Sequence, residues 1–275
     1  MSAPVVRHLP DIGVTVVSKW LYNCYVIHDG GDGRPFVVDL GAPSQLPLVA
    51  DVLRTLDADV GDLALALATH GHSDHVGGLP ALRADAGTEV LLPHAIDDMR
   101  TGAIPRRFPT AKDVAQILPV MATQPFDLAT TLEIGKAGKE IGWSAKDVRL
   151  PFEPEGWLRD GEHLPGLPDW QVLSTPGHSD DSTCLYHAPT RTLLSGDSVL
   201  TVEGRGWFNP EYVDGRLSVQ TEARLRDLDV EHLLPGHGLV VTGSDVMAGA
   251  LSFADRPADS SKLKAVVRIL RSARR

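Results

Sequence analysis

The chain has 275 residues, 43% of them hydrophobic, and 36 acidic against 26 basic residues give a formal charge of −10. That length and apolar fraction are compatible with one large domain, or two small ones, around a real core. The acidic balance argues against a nucleic-acid binder working through a broad basic surface, and no apolar run is long enough for a membrane span.

From the N-terminus, "MSAPVVRHLPDIG" has no basic patch leading into an apolar run, so no signal peptide is expected. "VTVVSKW" and "LYNCYVIHDG" read as strands, "DGGDGRP" as a turn and "FVVDLGAP" as a further strand, together an antiparallel meander with "GGDG" at its tip. Residues 45–58 carry Leu46, Val49, Leu53 and Leu56 at helical spacing. "DLALALAT" reads as a buried strand, residues 76–85 as a helix and "TEVLLP" as another strand, an alternation that points to layered α/β architecture. Between about 100 and 160 the pattern loosens: "RTGAIPRRFPT" reads as a loop, "AKDVAQILPVMATQ" as a helix, and the stretch to Asp147 shows no strong period. Strands resume in "WQVLSTPG", "STCLYHAP" and "RTLLSGDSVL", and a helix over 216–228 leads into "VEHLLPGHG". The tail, about 260–275, has Leu263, Val266, Val267 and Leu270 at helical spacing and predicts an amphipathic helix whose apolar face packs on the body. Cys24 and Cys184, both in apolar strand contexts, read as buried free thiols, so a cytoplasmic protein is expected.

One segment departs from ordinary globular sequence. "LALALATHGHSDHVGG" places His70, His72, Asp74 and His75 within six residues at the end of a buried strand. Imidazole and carboxylate together suit zinc and other borderline cations. In an extended loop His70 and His72 face the same way and can share one ion, while Asp74 and His75, further round the turn, can reach a second. Three later segments repeat the form, an apolar strand ending in a glycine-flanked donor: "VLSTPGHS" with His178, "TLLSGDS" with Asp197 and "HLLPGHG" with His237. Histidines 8, 28, 94, 163, 187 and 232 have no such setting and read as ordinary surface or core residues.

The HxHxDH motif at His70–His75, with PGH at His178, SGD at Asp197 and PGHG at His237 in that order, closely resembles the metallo-β-lactamase superfamily over nearly the whole chain. The resemblance implies an αββα sandwich of two mixed sheets with helices outside, as one domain over residues 1–275. It implies that His70, His72 and His178 bind one metal ion, that Asp74, His75 and His237 bind a second, and that Asp197 bridges them. The expected cofactor is two divalent ions, zinc first, with iron or manganese as alternatives. Two ions about 3.5–4 Å apart can deprotonate a shared water and polarise a substrate oxygen, so hydrolysis is the expected reaction. Asp74 is the expected catalytic residue, orienting the attacking hydroxide or moving its proton to the leaving group.

The resemblance also sorts the reactions. True β-lactamases carry Cys or Ser where Asp197 stands, the flavodiiron branch has Glu in place of His72, and ribonuclease Z relatives carry an RNA-gripping arm of which no basic stretch is seen here. A small acyl substrate (an ester, thioester or lactone) is the leading expectation; a single-iron persulfide dioxygenase and a phosphodiesterase are the alternatives. The segment 100–160 is expected to lie over the metal edge as a lid or pocket wall, using Ile104, Phe108, Ile117, Leu118, Met121, Phe126 and Trp143. "VEGRGWFNPEY" offers a second wall, with Trp207 and Phe208 near the metals and Arg205 for an anionic group. The partners expected are a small molecule, with neither nucleic acid nor membrane, and a second copy is compatible.

Overall fold

A computed structural model describes residues 4–140, 150, 152–258 and 261–272. The expectation for Trp143 falls outside these residues.

The first sheet has seven strands in chain order: β1 (Val5–Leu9), β2 (Val14–Lys19), β3 (Tyr22–Ile27), β4 (Phe36–Val38), β5 (Ala66–Leu67), β6 (Val90–Pro93) and β7 (Gly156–Leu158). The predicted meander is β2 to β4, to which β1, not anticipated from the sequence, adds an antiparallel edge strand; β4 to β7 run parallel. The second sheet has the order β15-β14-β11-β10-β9-β8. It is built from β8 (His163–Leu164), β9 (Leu167–Ser174), β10 (Thr183–His187), β11 (Thr192–Gly196), β14 (His232–Pro235) and β15 (Val241–Thr242). Only β11 and β14 are parallel in it, so both sheets are mixed. A hairpin of β12 (Val199–Val202) and β13 (Arg205–Phe208) stands apart from both.

Alternation along these strands makes the layers. Val16, Tyr25, Ile27, Phe36 and Val38 point inward to meet Trp170, Val172, Leu185, Leu194 and Leu234 of the other sheet. Their chain neighbours Val17, Cys24, Val26 and Val37 point the other way, onto helices α1 (Leu46–Arg54) and α3 (Leu79–Ala86). Period-two alternation with both faces covered therefore forces a helical layer outside the sheet. The second sheet repeats this: Leu173, Cys184, Leu193 and Leu233 face Leu225 of α8 (Gly215–Arg226) and Phe208 of the hairpin. The result is the four-layer αββα sandwich. Both cysteines are buried free thiols.

Between the described helices α2 (Ser73–Val76) and α8, the loose segment is more ordered than its sequence predicts. Helix α4 (His94–Thr101) precedes it; α5 (Ala111–Val114) and α6 (Leu118–Met121) replace the single helix expected over 111–124, because Pro119 can only open a new helix, not continue one. The patternless stretch contains α7 (Leu128–Glu140), its buried side made by Thr130, Ile134 and Ala137. Gly135 and Gly138 weaken the helical signal in the sequence, and packing of α7 against α2 supplies what propensity does not. The segment packs on the hairpin and on the first sheet: α6 touches β12, and Trp20 at the β2–β3 turn donates from Nε1 to the carbonyl of Met121 at 3.1 Å.

The C-terminal helix α9 (Lys262–Ser272) forms, but most of its expected apolar face is not covered. Ala265 is the buried residue, with Val267, Ile269 and Ser272 half-buried, whereas Leu263, Val266 and Leu270 are exposed. The stretch it packs on, short α6 and the chain around Phe126, accepts small groups: Ser272 Oγ takes a hydrogen bond from the Phe126 N–H at 3.0 Å.

Candidate metal centre

Each donor arrives where a strand stops. β5 ends at Leu67 and the chain turns through Thr69–His72 into α2, which carries Asp74 and His75; β9, β11 and β14 end just before His178, at Asp197's doorstep and before His237. Strand ends from both sheets thus converge on one edge, the usual place for sites in α/β layers. Two glycines are required by the closeness of the approach. A Cβ on Gly41 would stand 1.7 Å from the Asp74 carbonyl oxygen, and one on Gly236 would stand 2.3 Å from Asp197 Oδ1 and 2.7 Å from His75 Cε1.

All seven predicted donors come together. His70, His72 and His178 form one triad and Asp74, His75 and His237 another, the donor atoms of each within 4.8 Å of one another. In the first, His72 Nδ1 is 3.0 Å from His70 Nε2 and 3.2 Å from His178 Nε2. In the second, His237 Nε2 is 3.2 Å from Asp74 Oδ2. Asp197 lies between them: Oδ2 is 3.6 Å from His178 Nε2 and 3.1 Å from His237 Nε2, and Oδ1 is 3.5 Å from His75 Nε2. Asp74, with its side chain 21% exposed, is the more open of the two carboxylates, since Asp197 is 5% exposed.

The ring nitrogens that face away from this cluster are held. His178 Nδ1 donates to the Glu211 carbonyl at 2.8 Å, and His237 Nδ1 to the Leu21 carbonyl at 3.2 Å. His75 Nδ1 lies 3.0 Å from Asp39 Oδ2. Such contacts fix the tautomer and aim the other nitrogen inward. Asp39 in turn accepts from the Thr69 N–H at 2.7 Å and the Thr69 hydroxyl at 2.8 Å, and Asp181 accepts from the Gly71 N–H at 2.6 Å, so two buried carboxylates hold the motif loop. Asn209 donates to the Asp197 carbonyl at 2.9 Å.

The electrostatics divide the cluster. Burial, then the neighbouring imidazoles of His75 and His72, hold His70 well below the usual histidine range, and burial with His178 pushes His72 down to about 3. Burial also opposes protonation of His75 and His237, but Asp39 and Asp197 raise the first well above its ordinary value, and Asp197 raises the second to about 10. Burial works against the charge on Asp74 and Asp197, yet the adjacent His75 and His237 keep both carboxyls below the ordinary range. Neutral imidazoles beside ionised carboxylates are the forms that bind a cation, and a divalent ion can take the place of a shared proton. Two buried atoms pointing into the cluster, His75 Nε2 and Asp197 Oδ1, have no hydrogen-bond partner. Buried polar atoms are rarely left so, and a divalent cation on these donors fits both.

The expected aromatic wall is placed differently. Trp207 is fully buried, packed with Ile117, Val120, Leu200 and Val202, and so joins the hairpin to the loose segment instead of lining an opening. Phe208 is buried under α8 with the Arg226 guanidinium over its ring. Arg205 is half-exposed and faces Glu203 at 3.6 Å. Phe108 is exposed at the surface, with Arg106 stacked 4.2 Å from its centroid. Phe208 nevertheless shares a cavity with His178. A further aromatic beside the donors, absent from the sequence expectations, is Tyr22: its ring is 5.6 Å from that of His237 and 5.5 Å from that of Trp20, which packs on Phe126 at 4.6 Å.

A family model described as the metallo-beta-lactamase superfamily matches residues 18–237. Among curated proteins, the chain is 24% identical to a probable metallo-hydrolase, YflN, of Bacillus subtilis, over 89% of this chain and 90% of that one. It is 30% identical to the acyl-coenzyme A thioesterase MBLAC2 of Gallus gallus, over 75% of this chain and 69% of that one. A structure solved in a di-iron-bound form superposes with a TM-score of 0.52 at 22% identity, over 88% of this chain and 94% of that one, which supports the fold.

Proposed function

The chain belongs to the metallo-beta-lactamase superfamily and is a metal-dependent hydrolase of that fold, and from this premise we propose that it cleaves a small acyl compound, an ester, thioester or lactone. The observation that carries the reading is the pair of donor triads with Asp197 between them. His70, His72 and His178 would hold one divalent ion, Asp74, His75 and His237 a second, and Asp197 would touch both. Zinc is the first choice for this imidazole and carboxylate set, and iron suits it too. Bound there, such ions lower the pKa of water and polarise a carbonyl oxygen.

The chain's own residues do the rest. Asp39, Glu211 through its carbonyl and Leu21 through its carbonyl aim His75, His178 and His237, so the donors need little rearrangement when the site is loaded. Asp74, whose side chain is partly exposed, can take a proton from the attacking water and pass it to the leaving group. Tyr22 is half-buried beside His237 and is continued through Trp20 to half-buried Phe126, an apolar flank that suits an acyl group better than a polyanion. The thioesterase relative points the same way. The complete second triad favours this reading over a single-iron oxygenase, which needs one set of donors.

The test is turnover of a panel of lactones, thioesters, esters and phosphodiesters by the metal-loaded protein, with metal content measured alongside. About two zinc per chain with acyl hydrolysis is expected; about one iron, or turnover of phosphodiesters alone, overturns the reading.

A further inference from the structure

One cation of the loose segment reaches the loop that carries His178. Arg107 donates from Nε to Asp180 Oδ2 and from Nη1 to Asp214 Oδ2, both at 2.9 Å, and from Nη2 to Asp180 Oδ1. Asp180 stands two residues after His178. Asp214 caps α8, its Oδ1 accepting from the Arg216 N–H at 3.0 Å and the Leu217 N–H at 3.3 Å. The two carboxylates are only 10% and 17% exposed, and among the described residues Arg107 is the cation that pairs with each.

The joint adjoins the metal centre. Gly177, just before His178, accepts at its carbonyl from the Val213 N–H at 2.8 Å and the Asp214 N–H at 3.2 Å. Its φ is +147°, and a Cβ there would stand 2.9 Å from Ser218 Cα, so the loop is pressed against the first turn of α8. Within the first triad, His178 is the member that follows the second sheet. His70 and His72 share the motif loop, which Asp39 holds through Thr69 and Asp181 through Gly71. We propose that Arg107 is a positioning residue for His178. By neutralising Asp180 and Asp214 it keeps the third imidazole of that triad in register with the other two, so the loose segment tunes how tightly the triad holds its ion.

Without the guanidinium, two poorly hydrated carboxylates would face one another across the joint, and removing one partner of such a group leaves charge uncompensated. Helix α8 is fixed by Leu225 in the core, so the loop gives way and carries His178 with it. Outer partners of metal-binding histidines commonly set affinity in this manner. The second triad is not attached to the joint: His237 follows β14 and is held by the Leu21 carbonyl, and His75 stands against Asp39. The inference rests on the reading of the triads as metal sites and not on which bond is cleaved.

The test is zinc titration of the full chain in competition with a chromophoric chelator. Arg107→Ala should weaken, about tenfold, the zinc step that His178→Ala abolishes, and leave any other step unchanged. Arg107→Gln keeps hydrogen-bond donors but not the charge; it should show the same loss, and it decides the matter if the alanine variant does not fold. Asp214→Asn keeps the cap, since an asparagine oxygen accepts the same N–H groups, while removing one of the two charges. Arg107→Gln/Asp214→Asn should therefore recover most of the lost affinity. Equal weakening of every step, no weakening at the His178 step, or a double variant that does not recover overturns the proposal. A parent chain that takes up no zinc sinks the reading of the triads as metal sites, and this proposal with it.

Discussion

At the scale of single residues, Asp39 shows how much of the centre depends on groups that never meet a substrate. It is buried at the end of β4, holds the Thr69 N–H and hydroxyl, and stands against His75 Nδ1. Asp39→Ala removes the carboxylate beside His75 Nδ1 and the acceptor of the Thr69 N–H and hydroxyl, leaving those buried donors unmet. Zinc affinity should fall about 10- to 100-fold, read by competition with a chromophoric chelator, and Asp39→Asn should fall less because its oxygen can still accept. The seven donors were legible because four are crowded into one motif and three repeat a strand–glycine form. Asp39 ends "FVVDLG" in the same way and could have been found by that form. Tyr22 and Asp181 had no such signal, each being a single polar residue whose partner lies far along the chain, and Asn209 meets Asp197 only because the β12–β13 hairpin folds back.

Elements tell the opposite story about Trp207. Its neighbourhood in "GRGWFNPEY" suggested a substrate wall, but strand pairing of β12 with β13 turns the indole into a fully buried cluster with α6. Trp207→Ala should therefore destabilise the fold by about 3–5 kcal/mol in denaturant titration, the loss typical of a core tryptophan. Local pattern fixes which residues are apolar; it does not say which layer they will meet. The same limit explains α9, whose period was evident while its orientation depended on a shallow seat. Glu155, where the chain re-enters the first sheet, gives a second check at this scale. Burial opposes its charge, yet the Val90 N–H at 2.8 Å and the Arg83 guanidinium hold its carboxyl below the ordinary range. A depressed carboxyl contributes stability above its unfolded pKa, and that contribution is lost as pH falls through the folded value. Denaturation midpoints of the parent and Glu155→Gln should thus differ at neutral pH and converge in acid; a gap that persists at low pH would refute the linkage.

For the whole molecule, strand–helix alternation pointed to a layered α/β architecture, and the resemblance carried by the HxHxDH motif and its later partners implied the four-layer sandwich. The centre then joins the halves: His70, His72, Asp74 and His75 follow the first sheet, and His178, Asp197 and His237 follow the second. An ion that needs both halves binds only the folded chain, so added zinc should raise the melting temperature in proportion to the logarithm of its free concentration. A chelator should reverse the rise, and calorimetry across a zinc series checks it.

The clamp on His237 carries a further consequence. Asn23 Nδ2 donates to the carbonyls of Pro235 and Gly238, both at 2.9 Å, and Tyr25 Oη donates to that of Pro235 at 2.6 Å. The last donor in the chain is thereby gauged by residues near its start. During synthesis the early histidines emerge long before their partner, and the second triad closes only when β14 reaches the waiting N-terminal hairpin. Metal loading at that triad would then be a timestamp, marking a chain whose two ends have already found each other.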